Sequence, residues 1–547
     1  MYSNEKDPCL SEHAIAAKFK KLKSFIAHAQ EVAQDTEAVV RSLREQNIDP
    51  TTYSLTSDLA VNLRHLQELV GNSDDVQIRE FFLAALKRKA ALVFIEGMID
   101  KELLNRHVIE KLMIMVPNAP YVSDELTYLK NTLLGVVSFS EVFQIEEAVE
   151  AVLSGETILL VEGISALVRI DSRKLEYRAI SESPTESSLQ AARDAFIESL
   201  SINITLLRRR IKDPNLIVKK FTLGARSKTA VAIVFIQGIA NPGLSLEVER
   251  RLTKINVEAF ANIGLLQGLM EDHPYSLFPT MLSTERPDKT VAALVEGKVA
   301  ILMDTSPFAL LAPAVFSDFF QVSDDYSEKW AVASLIRFTR YVSALIAVAT
   351  PALFVAITTF HPGLLPTPLT VTIATARQGI PFPALLEALI MEAFLEILQE
   401  AGVRLPKPIG PAVSIVGGLV IGEATVRAGF ISAPMVIVIA LTAIASFNIA
   451  NYRINLIVRL CRVPLMLLSS ALGMVGVMLG LLAIVGHLSV LESFGVAYLG
   501  PLIPKNTGSL SDSKDALVVA PPLKMGERPD YLQSVDGKQL PDNGGQN

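Results

Sequence analysis

The hydrophobic and polar positions divide the chain into two unlike parts. Up to about residue 290, short apolar runs alternate with charged stretches, as in an ordinary globular sequence. Beyond residue 340 the apolar runs lengthen: Tyr341–Phe360 contains 20 residues without a charge, and Phe430–Ala450 and Val463–Gly486 are similar runs. About 20 apolar residues are enough for a helix to cross the hydrocarbon core of a bilayer. The pattern therefore predicts an α/β region followed by an α-helical, polytopic transmembrane domain.

The first part contains an internal duplication. Four features of one copy recur in the next at a nearly constant offset of 141 or 142 residues. The recurring pairs are Asn62/Asn203, Phe94/Phe235, Gly97/Gly238 and Gly155/Gly297. Each copy is predicted to run helix, strand, helix, helix, strand, with the glycine of the last pair capping a helix. We therefore expect two duplicated α/β subdomains, in which the paired asparagines serve the fold.

Composition shifts set the domain boundaries. We expect an N-terminal helical extension, an interfacial linker with Tyr326 and Trp330 at headgroup level, and a polar, Gly/Pro-rich C-terminal tail that is flexible. The predicted segments are 1–52 (extension), 53–190 and 191–315 (subdomains), 316–340 (linker), 341–504 (transmembrane domain) and 505–547 (tail).

One apolar segment, Pro383–Ala401, carries an unusual number of acids. Three of them, Glu392, Glu396 and Glu400, are spaced by four residues and fall on one stripe of a helix. Ionised groups in hydrocarbon are costly, so they face a bundle interior or water. The stripe is therefore a candidate ion pathway, since rings of carboxylates favour cations when several subunits assemble. The alternative is an interfacial amphipathic helix whose acids lie in water, with Glu400 pairing with Arg404.

Positive charges predict the threading. Three basic clusters flank the apolar segments, and the positive-inside rule places all of them in the cytoplasm. The clusters are Arg337 with Arg340, Arg404 with Lys407, and Arg453 with Arg459 and Arg462. This requires that Pro383–Ala401 and Pro408–Arg427 both cross, which gives about five spans with the N-terminal region inside. For Leu488–Pro504 the sequence leaves a further span, a re-entrant element or an interfacial element open.

The membrane half contains two groups of small residues. One group consists of Gly417, Gly418, Val420 and Gly422. It either forms a narrow, pore-facing helix that moves on gating or packs tightly against a neighbour. The other, Gly476-xxx-Gly480, also permits two helices to approach closely. Just beyond, Glu423 and Arg427 are four residues apart and form a candidate intramembrane pair.

Composition and motifs argue against nucleic-acid binding, a disulfide framework and the common enzyme active sites. The net charge of -7 gives no nucleic-acid footprint, and the two cysteines, Cys9 and Cys461, lie too far apart in sequence to suggest a disulfide framework. The sequence contains no HExxH, GxSxG, GxGxxG or P-loop pattern. We expect no enzyme, no catalytic residue, no metal and no cofactor. Residues 1–30 lack the apolar core of a signal peptide, so the first part is expected to stay in the cytoplasm.

Several segments together resemble a known family. They are NITLLRRRIKDPNL (Asn203–Leu216), ERPDK (Glu285–Lys289), VAILMDTSPFALLAP (Val299–Pro313), TFHPGLLPT (Thr359–Thr367), PFPALLEALIMEAFLEILQEAGVRLPKPIG (Pro381–Gly410) and VSIVGGLVIGEATVRAG (Val413–Gly429). Over about residues 55–535 the chain resembles the A subunits of GerA-type spore germinant receptors. It departs from the family at Glu423 and Arg427, where relatives usually have a Gln and an acid.

The resemblance implies a function. It implies a nutrient-responsive receptor subunit in the inner membrane of the endospore, beside a permease-like B subunit and a lipoprotein C subunit. It also implies a homo-oligomeric ring, a pentamer, that forms a ligand-gated channel releasing monovalent cations at the onset of germination. A relative from the SpoVA operon, acting as a non-conducting membrane scaffold or accessory subunit, is the alternative. A secondary transporter is disfavoured because residues 341–490 show no inverted repeat.

Overall fold

The structure, a computed structural model, describes residues 55–71, 73–84, 86–114, 138–174, 186, 190–404, 422–502, 515–521 and 526–537. The predicted N-terminal extension, 1–52, lies outside the described residues, as do Gly417, Gly418 and Val420. The described residues from Thr56 onward belong to one structural unit.

The first subdomain is built on a five-stranded sheet in the order β1-β2-β4-β5-β3, with neighbouring strands antiparallel. Its strands are β1 (Val76–Leu83), β2 (Arg88–Ile95), β3 (Phe139–Val142), β4 (Thr157–Val161) and β5 (Leu167–Ile170). Its helices are α1 (Leu59–Val70), a stretch made of Lys101–Leu103, the π-helical turn Leu104–Ile109 and Glu110–Ile114, and α2 (Ile145–Leu153). All five residues of β4 are buried, so this strand lies in the core of the subdomain.

The second subdomain repeats this plan with the order β6-β7-β9-β10-β8. Its strands are β6 (Leu216–Leu223), β7 (Thr229–Ile236), β8 (Leu282–Thr284), β9 (Val299–Met303) and β10 (Ala309–Ala312). Its helices are α3 (Leu200–Arg210), α4 (Pro242–Lys254), α5 (Ile263–Met270) and α6 (Pro287–Glu296). The duplication is therefore present in the fold as well as in the sequence. Each copy has five strands where the sequence predicted two. The edge strand β1 mixes charged and apolar residues and forms no apolar run, and the inner strands β5 and β10 have only four residues each.

The repeated asparagines hold equivalent places in the two subdomains. Asn62 and Asn203 are both buried, and each side chain exchanges two hydrogen bonds with the backbone six residues upstream. Asn62 pairs with Thr56 N and O at 3.0 and 2.7 Å, and Asn203 with Ile197 N and O at 2.9 and 2.6 Å. Each asparagine thus fixes the chain segment that enters its helix.

The repeated Gly155/Gly297 pair also serves local structure. Gly297 is the C-cap of α6 at φ 107°, and Gly155 follows the end of α2 at φ 89°. This left-handed region favours glycine because other residues have a Cβ that clashes there.

Buried charges join the two subdomains. Arg208 of α3 donates two hydrogen bonds of 2.8 Å to Asp75, which lies just before β1. Around them, Ser73 Oγ receives a hydrogen bond from Val218 N at 2.8 Å, and Lys220 forms a 2.9 Å ion pair with Glu96. These contacts connect the beginning of β1 and the end of β2 with β6.

The second part is helical. Two 3₁₀ turns, Phe316–Phe319 and Ser323–Tyr326, lead to α7 (Trp330–Phe360), which starts inside the predicted linker and has 31 residues. The helices that follow are α8 (Thr367–Arg377), α9 (Ala384–Arg404), α10 (Ala433–Phe447), α11 (Tyr452–Leu472) and α12 (Met474–Val490). A short two-stranded ribbon, β11 (Glu492–Ser493) and β12 (Val496–Ala497), follows α12.

One end of the helical bundle, here called the near end, lies against the second subdomain. Arg453 at the start of α11 donates to Gln267 of α5, and His487 at the end of α12 is 2.9 Å from Ser276 Oγ. Asn448, just after α10, donates to Ser343 of α7 at 2.8 Å, which places this part of α7 at the same level.

The far end is marked by the turn between α11 and α12. A Cβ on Gly473 would lie 2.8 Å from His361 and 3.0 Å from Phe360, so the turn packs against the end of α7. The helices α7 and α11 therefore run from near to far, and α10 and α12 return.

This turn corrects one prediction. The apolar run Val463–Gly486, predicted to be one span, belongs to two antiparallel helices that meet at Gly473. Gly476 and Gly480 allow the hairpin to close, because a Cβ at these positions would overlap Leu468 O and Leu465 Cδ1.

Among the described residues, two helices, Trp330–Phe360 and Tyr452–Leu472, are long and apolar enough to span a membrane, and α10 and α12 are shorter apolar helices. The prediction of five spans is thus not confirmed.

The C-terminal part also differs from the expected flexible tail, since its described residues pack against the rest of the protein. Asp515 accepts hydrogen bonds from Arg337 at 2.9 Å and from the Tyr326 hydroxyl at 2.9 Å. Farther on, Arg528 donates to Val295 O at 2.9 Å and Ser534 to Glu296 O at 3.0 Å. Residues 515–521 thus contact the start of α7, and residues 526–537 contact the end of α6.

Candidate functional site

The candidate ion pathway centres on α9, which carries four glutamates. It packs against α7, α10 and α11, with Ala384, Ala388 and Met391 in a shared apolar core. Glu387 lies beside Ser432 at the far end, and Glu396 lies beside Arg459, two turns into α11 from the near end. The helix therefore runs from the far end towards the near end.

Glu387 links three helices at the far end of this bundle. Its side chain is fully buried and accepts hydrogen bonds from Ser432 N at 3.0 Å and Ser432 Oγ at 2.8 Å. Arg377, at the end of α8, donates to the other carboxylate oxygen at 3.2 Å. One carboxylate thus ties the end of α8 and the start of α10 to α9.

Farther along α9, two glutamates pair with arginines of α11. Glu392 forms a buried ion pair with Arg462, whose guanidinium also binds Ser446 of α10. Glu396 forms a 2.9 Å ion pair with Arg459. Within one subunit these charges therefore stabilise the packing of α9 on α11.

The outer face of α9 is not covered by any part of the chain that the structure describes. Exposed positions form a stripe along the helix that includes Leu386, Ala393, Ile397 and Glu400, with Glu396 at its edge. The side chain of Glu396 is 50% exposed even though it is ion-paired. An apolar helix with exposed carboxylates is unsuited to lipid contact, since charge in hydrocarbon is costly. The stripe therefore calls for water or another protein surface.

The glycine segment is only partly described. Gly422 begins a helical turn over 422–427, and a Cβ there would lie 3.8 Å from Val436, an ordinary contact. Glu423 and Arg427 form an ion pair of 2.5 Å in that turn, with side chains 55% and 78% exposed. In the single chain this pair lies on the surface.

The arginine partners were not predicted from the sequence. The positive-inside rule places Arg459 and Arg462 in a cytoplasmic cluster between spans, whereas in the structure both belong to α11 and pair with glutamates of α9. Arg459 and Arg462 are three residues apart, and Glu392 and Glu396 are four apart. Both spacings place the two side chains on one helix face, and this is the sequence signal that could have indicated the pairing.

A second polar site lies between α6 and the linker. A cavity of about 240 Å³ is lined by Glu296, Lys298, Asp318 and Tyr326, among other residues. Lys298 forms a buried 2.9 Å ion pair with Asp318. Burial raises the pKa of the Glu296 carboxyl to about 7, and the nearby Lys298 ammonium counteracts part of that rise. In the described part of the chain no group of three or more His, Cys, Asp or Glu residues could hold a metal ion.

Comparisons with known proteins identify the family of the chain. The family model for the Bacillus/Clostridium GerA spore germination protein matches residues 64–531. The chain is 38% identical over 481 residues to spore germination protein B1 of Bacillus subtilis, covering 87% of this chain and 97% of that protein. It is 37% identical over 490 residues to spore germination protein GerLA of Bacillus cereus, covering 89% and 98%.

A solved structure also matches part of the chain. The crystal structure of the N-terminal domain of the A subunit of the Bacillus megaterium spore germinant receptor GerK3 is 31% identical, with a TM-score of 0.39. The match covers 49% of this chain and 98% of that domain.

The fold and the site define a protein with a duplicated α/β region joined to a bundle of apolar helices, two of them long enough to cross a bilayer. The family match, which extends over most of the chain, adds the biological context. The chain belongs to the GerA family of spore germination proteins. Family membership and the apolar helices together indicate membrane association and a general role in spore germination.

Proposed function

We propose that this protein is the A subunit of a nutrient-responsive germinant receptor in the spore inner membrane. Several copies, in a ring such as a pentamer, surround a pathway for monovalent cations, and the outer stripe of α9 lines it. A permease-like B subunit that senses the nutrient and a lipoprotein C subunit complete the receptor. The α/β region lies on the cytoplasmic side.

The uncovered carboxylates of α9 carry this proposal. Glu396 and Glu400 are exposed on a helix whose other face packs into an apolar bundle. Lipid is an unfavourable neighbour for them, whereas a water-filled path between subunits stabilises them and attracts cations. The glycine segment 417–422, with Gly417, Gly418, Val420 and Gly422, is proposed to contribute to the same path.

The helix directions support an even number of membrane passages. Helix α7 takes the chain from the near end to the far end, and α9 brings it back to the near end. By Gly422 the chain is at the far end again, which makes a third passage. From there α10, α11 and α12 add three passages and return the chain to the near end. We therefore propose six passages instead of five, with the C-terminal segment on the side of the α/β region. The exposed Glu423–Arg427 pair then lies near the far end, in contact with water or a neighbouring subunit.

The test is cation flux through liposomes that contain the full-length protein with its B and C partners. Glu396→Gln and Glu400→Gln are expected to lower potassium flux while the protein still assembles. The matched control is Glu492→Gln, an exposed carboxylate of β11 at the near end, which should leave the flux unchanged. Absence of flux under every condition, including a screen of nutrients, would contradict the channel.

A second candidate is a non-conducting scaffold that holds the partner subunits. It is favoured by the internal pairing of Glu392 with Arg462 and of Glu396 with Arg459, which neutralises these carboxylates within one subunit. Crosslinking separates the two candidates when combined with flux. A scaffold would crosslink to its partners and support their assembly, yet conduct no ions.

A further inference from the structure

The exposed face of α5 lacks any charged or strongly polar side chain. Leu265 and Leu269 are 42% and 46% exposed, one turn apart, and the positions beside them are Gly264 and Gly268. The loop that follows continues this surface, since Tyr275 is fully exposed and Leu277 is 56% exposed. An outward face of a water-soluble domain normally carries charged residues.

The acids of the same segment are turned inward. Glu271 accepts a hydrogen bond from Gln267 Nε2 at 2.7 Å. Asp272 pairs with Arg251 and accepts from Phe494 N at 2.8 Å. The segment thus directs its charges towards protein and its leucines and tyrosine outward, the reverse of the usual pattern.

The position of this surface is set by the helices beneath it. Gln267 of α5 binds Arg453 at the start of α11, and Ser276 binds His487 at the end of α12. The rings of Phe278 and His487 are 6.0 Å apart. The outward apolar side chains of α5 and its loop therefore lie at the level where α11 and α12 reach the near end.

We propose that Leu265, Leu269, Tyr275 and Leu277, here called the leaflet surface, insert into the lipid headgroup region of the membrane leaflet facing the α/β region. Lipid is the occupant because the surface continues the exposed apolar face of α12, where Val485 and Val490 are 52% and 73% exposed. A tyrosine with its hydroxyl end in water suits the interface. The proposal rests on the membrane placement of α11 and α12 given above.

A single-tryptophan experiment tests the leaflet surface. Trp330 is the only tryptophan in the chain, so the Trp330→Phe variant has no tryptophan fluorescence of its own. In that background, Tyr275→Trp is introduced into the full-length protein in bilayers with or without brominated phosphatidylcholine. We expect blue-shifted emission that brominated lipid quenches strongly.

Two further variants serve as controls. Phe82→Trp, an exposed aromatic position of β1 in the first subdomain, should not be quenched, and Leu482→Trp, an exposed position of α12, should be quenched. Quenching at Leu482→Trp without quenching at Tyr275→Trp overturns the leaflet surface but leaves the membrane placement standing. Absence of quenching at both overturns both. Blue-shifted emission at Tyr275→Trp that brominated lipid leaves unchanged assigns the surface to another copy or subunit and overturns the lipid contact.

Discussion

Arg208 and Asp75 form a two-bond salt bridge at the contact between the two α/β subdomains. Both bonds are 2.8 Å long, and each residue is 1% exposed. Ser73 supports the pair by binding both partners. The duplicated subdomains are thus joined by a charge pair that neither copy contains alone, and they are expected to move together.

Removing one partner of this pair is expected to destabilise the protein strongly. Asp75→Asn leaves Arg208 charged and buried, which should lower the unfolding free energy by about 3–5 kcal/mol. The measurement is denaturant unfolding of the detergent-solubilised protein, followed by circular dichroism. Glu96→Gln, which weakens the partly exposed pairs with Lys220 and Lys101, is the control and should cost only about 0–1 kcal/mol. Equal effects of the two variants would contradict a joining role for Arg208 and Asp75.

The paired asparagines should behave alike when replaced. Asn203→Ala removes the partner of Ile197 N and O, and an unsatisfied buried backbone group costs about 1–3 kcal/mol. Asn62→Ala should have a similar cost in the first subdomain. Hydrogen exchange should show faster exchange in α3 for the first variant and in α1 for the second. The control, Thr205→Ala, loses one exposed bond to Ser201 O and should change exchange little.

Glu296 should make stability depend on pH. The carboxyl has an ordinary pKa of 4.5 when unfolded and about 7 when folded, because burial disfavours its charged form. Between these values the folded protein holds a proton that the unfolded chain has released. The contribution of Glu296 to the unfolding free energy therefore falls as the pH rises from 4.5 to about 7 and is constant above. Melting temperatures measured across this range should show a weaker fall for Glu296→Gln than for the exposed control Glu258→Gln, and superimposable profiles would refute the assignment.

Asp515 should determine whether the C-terminal segment stays attached. Asp515→Ala removes the carboxylate that accepts from Arg337 and from the Tyr326 hydroxyl, while Arg337 keeps its pair with Asp325 and its hydrogen bond to the backbone carbonyl of residue 515. Residues 516–520, where Val519 N donates to Ser334 Oγ at 3.0 Å, are expected to lose hydrogen-exchange protection. Glu527→Ala, an exposed change in the same segment, should preserve it. Unchanged protection in the Asp515 variant would show that other contacts suffice.

The sequence predicted the duplication because repeated folds keep their structural residues at one spacing, as Asn62 and Asn203 do. It also identified the two central strands, since fully buried strands such as β4 and β9 form continuous apolar runs. Edge strands were missed because β1 alternates charged and apolar residues over half-exposed positions.

Within the candidate site, the acids of α9 could be found but their partners could not. Glu392 and Arg462 are 70 residues apart, and only the helix packing brings them together. The turn at Gly473 was also missed, because apolar residues continue on both sides and hydropathy does not distinguish one long helix from a hairpin.

The attachment of Asp515 to Arg337 has a consequence for synthesis. The two residues are separated by 178 positions, so the base of α7 emerges from the ribosome long before its second carboxylate exists. Until then Asp325, which Arg340 shares, is the carboxylate partner that the described residues supply to Arg337. A chain that ends before residue 515 leaves the guanidinium groups of Arg337 and Arg340 competing for Asp325 where the α/β region meets the helical bundle. The start of α7 therefore gains its second described carboxylate only after residue 515 has been synthesised.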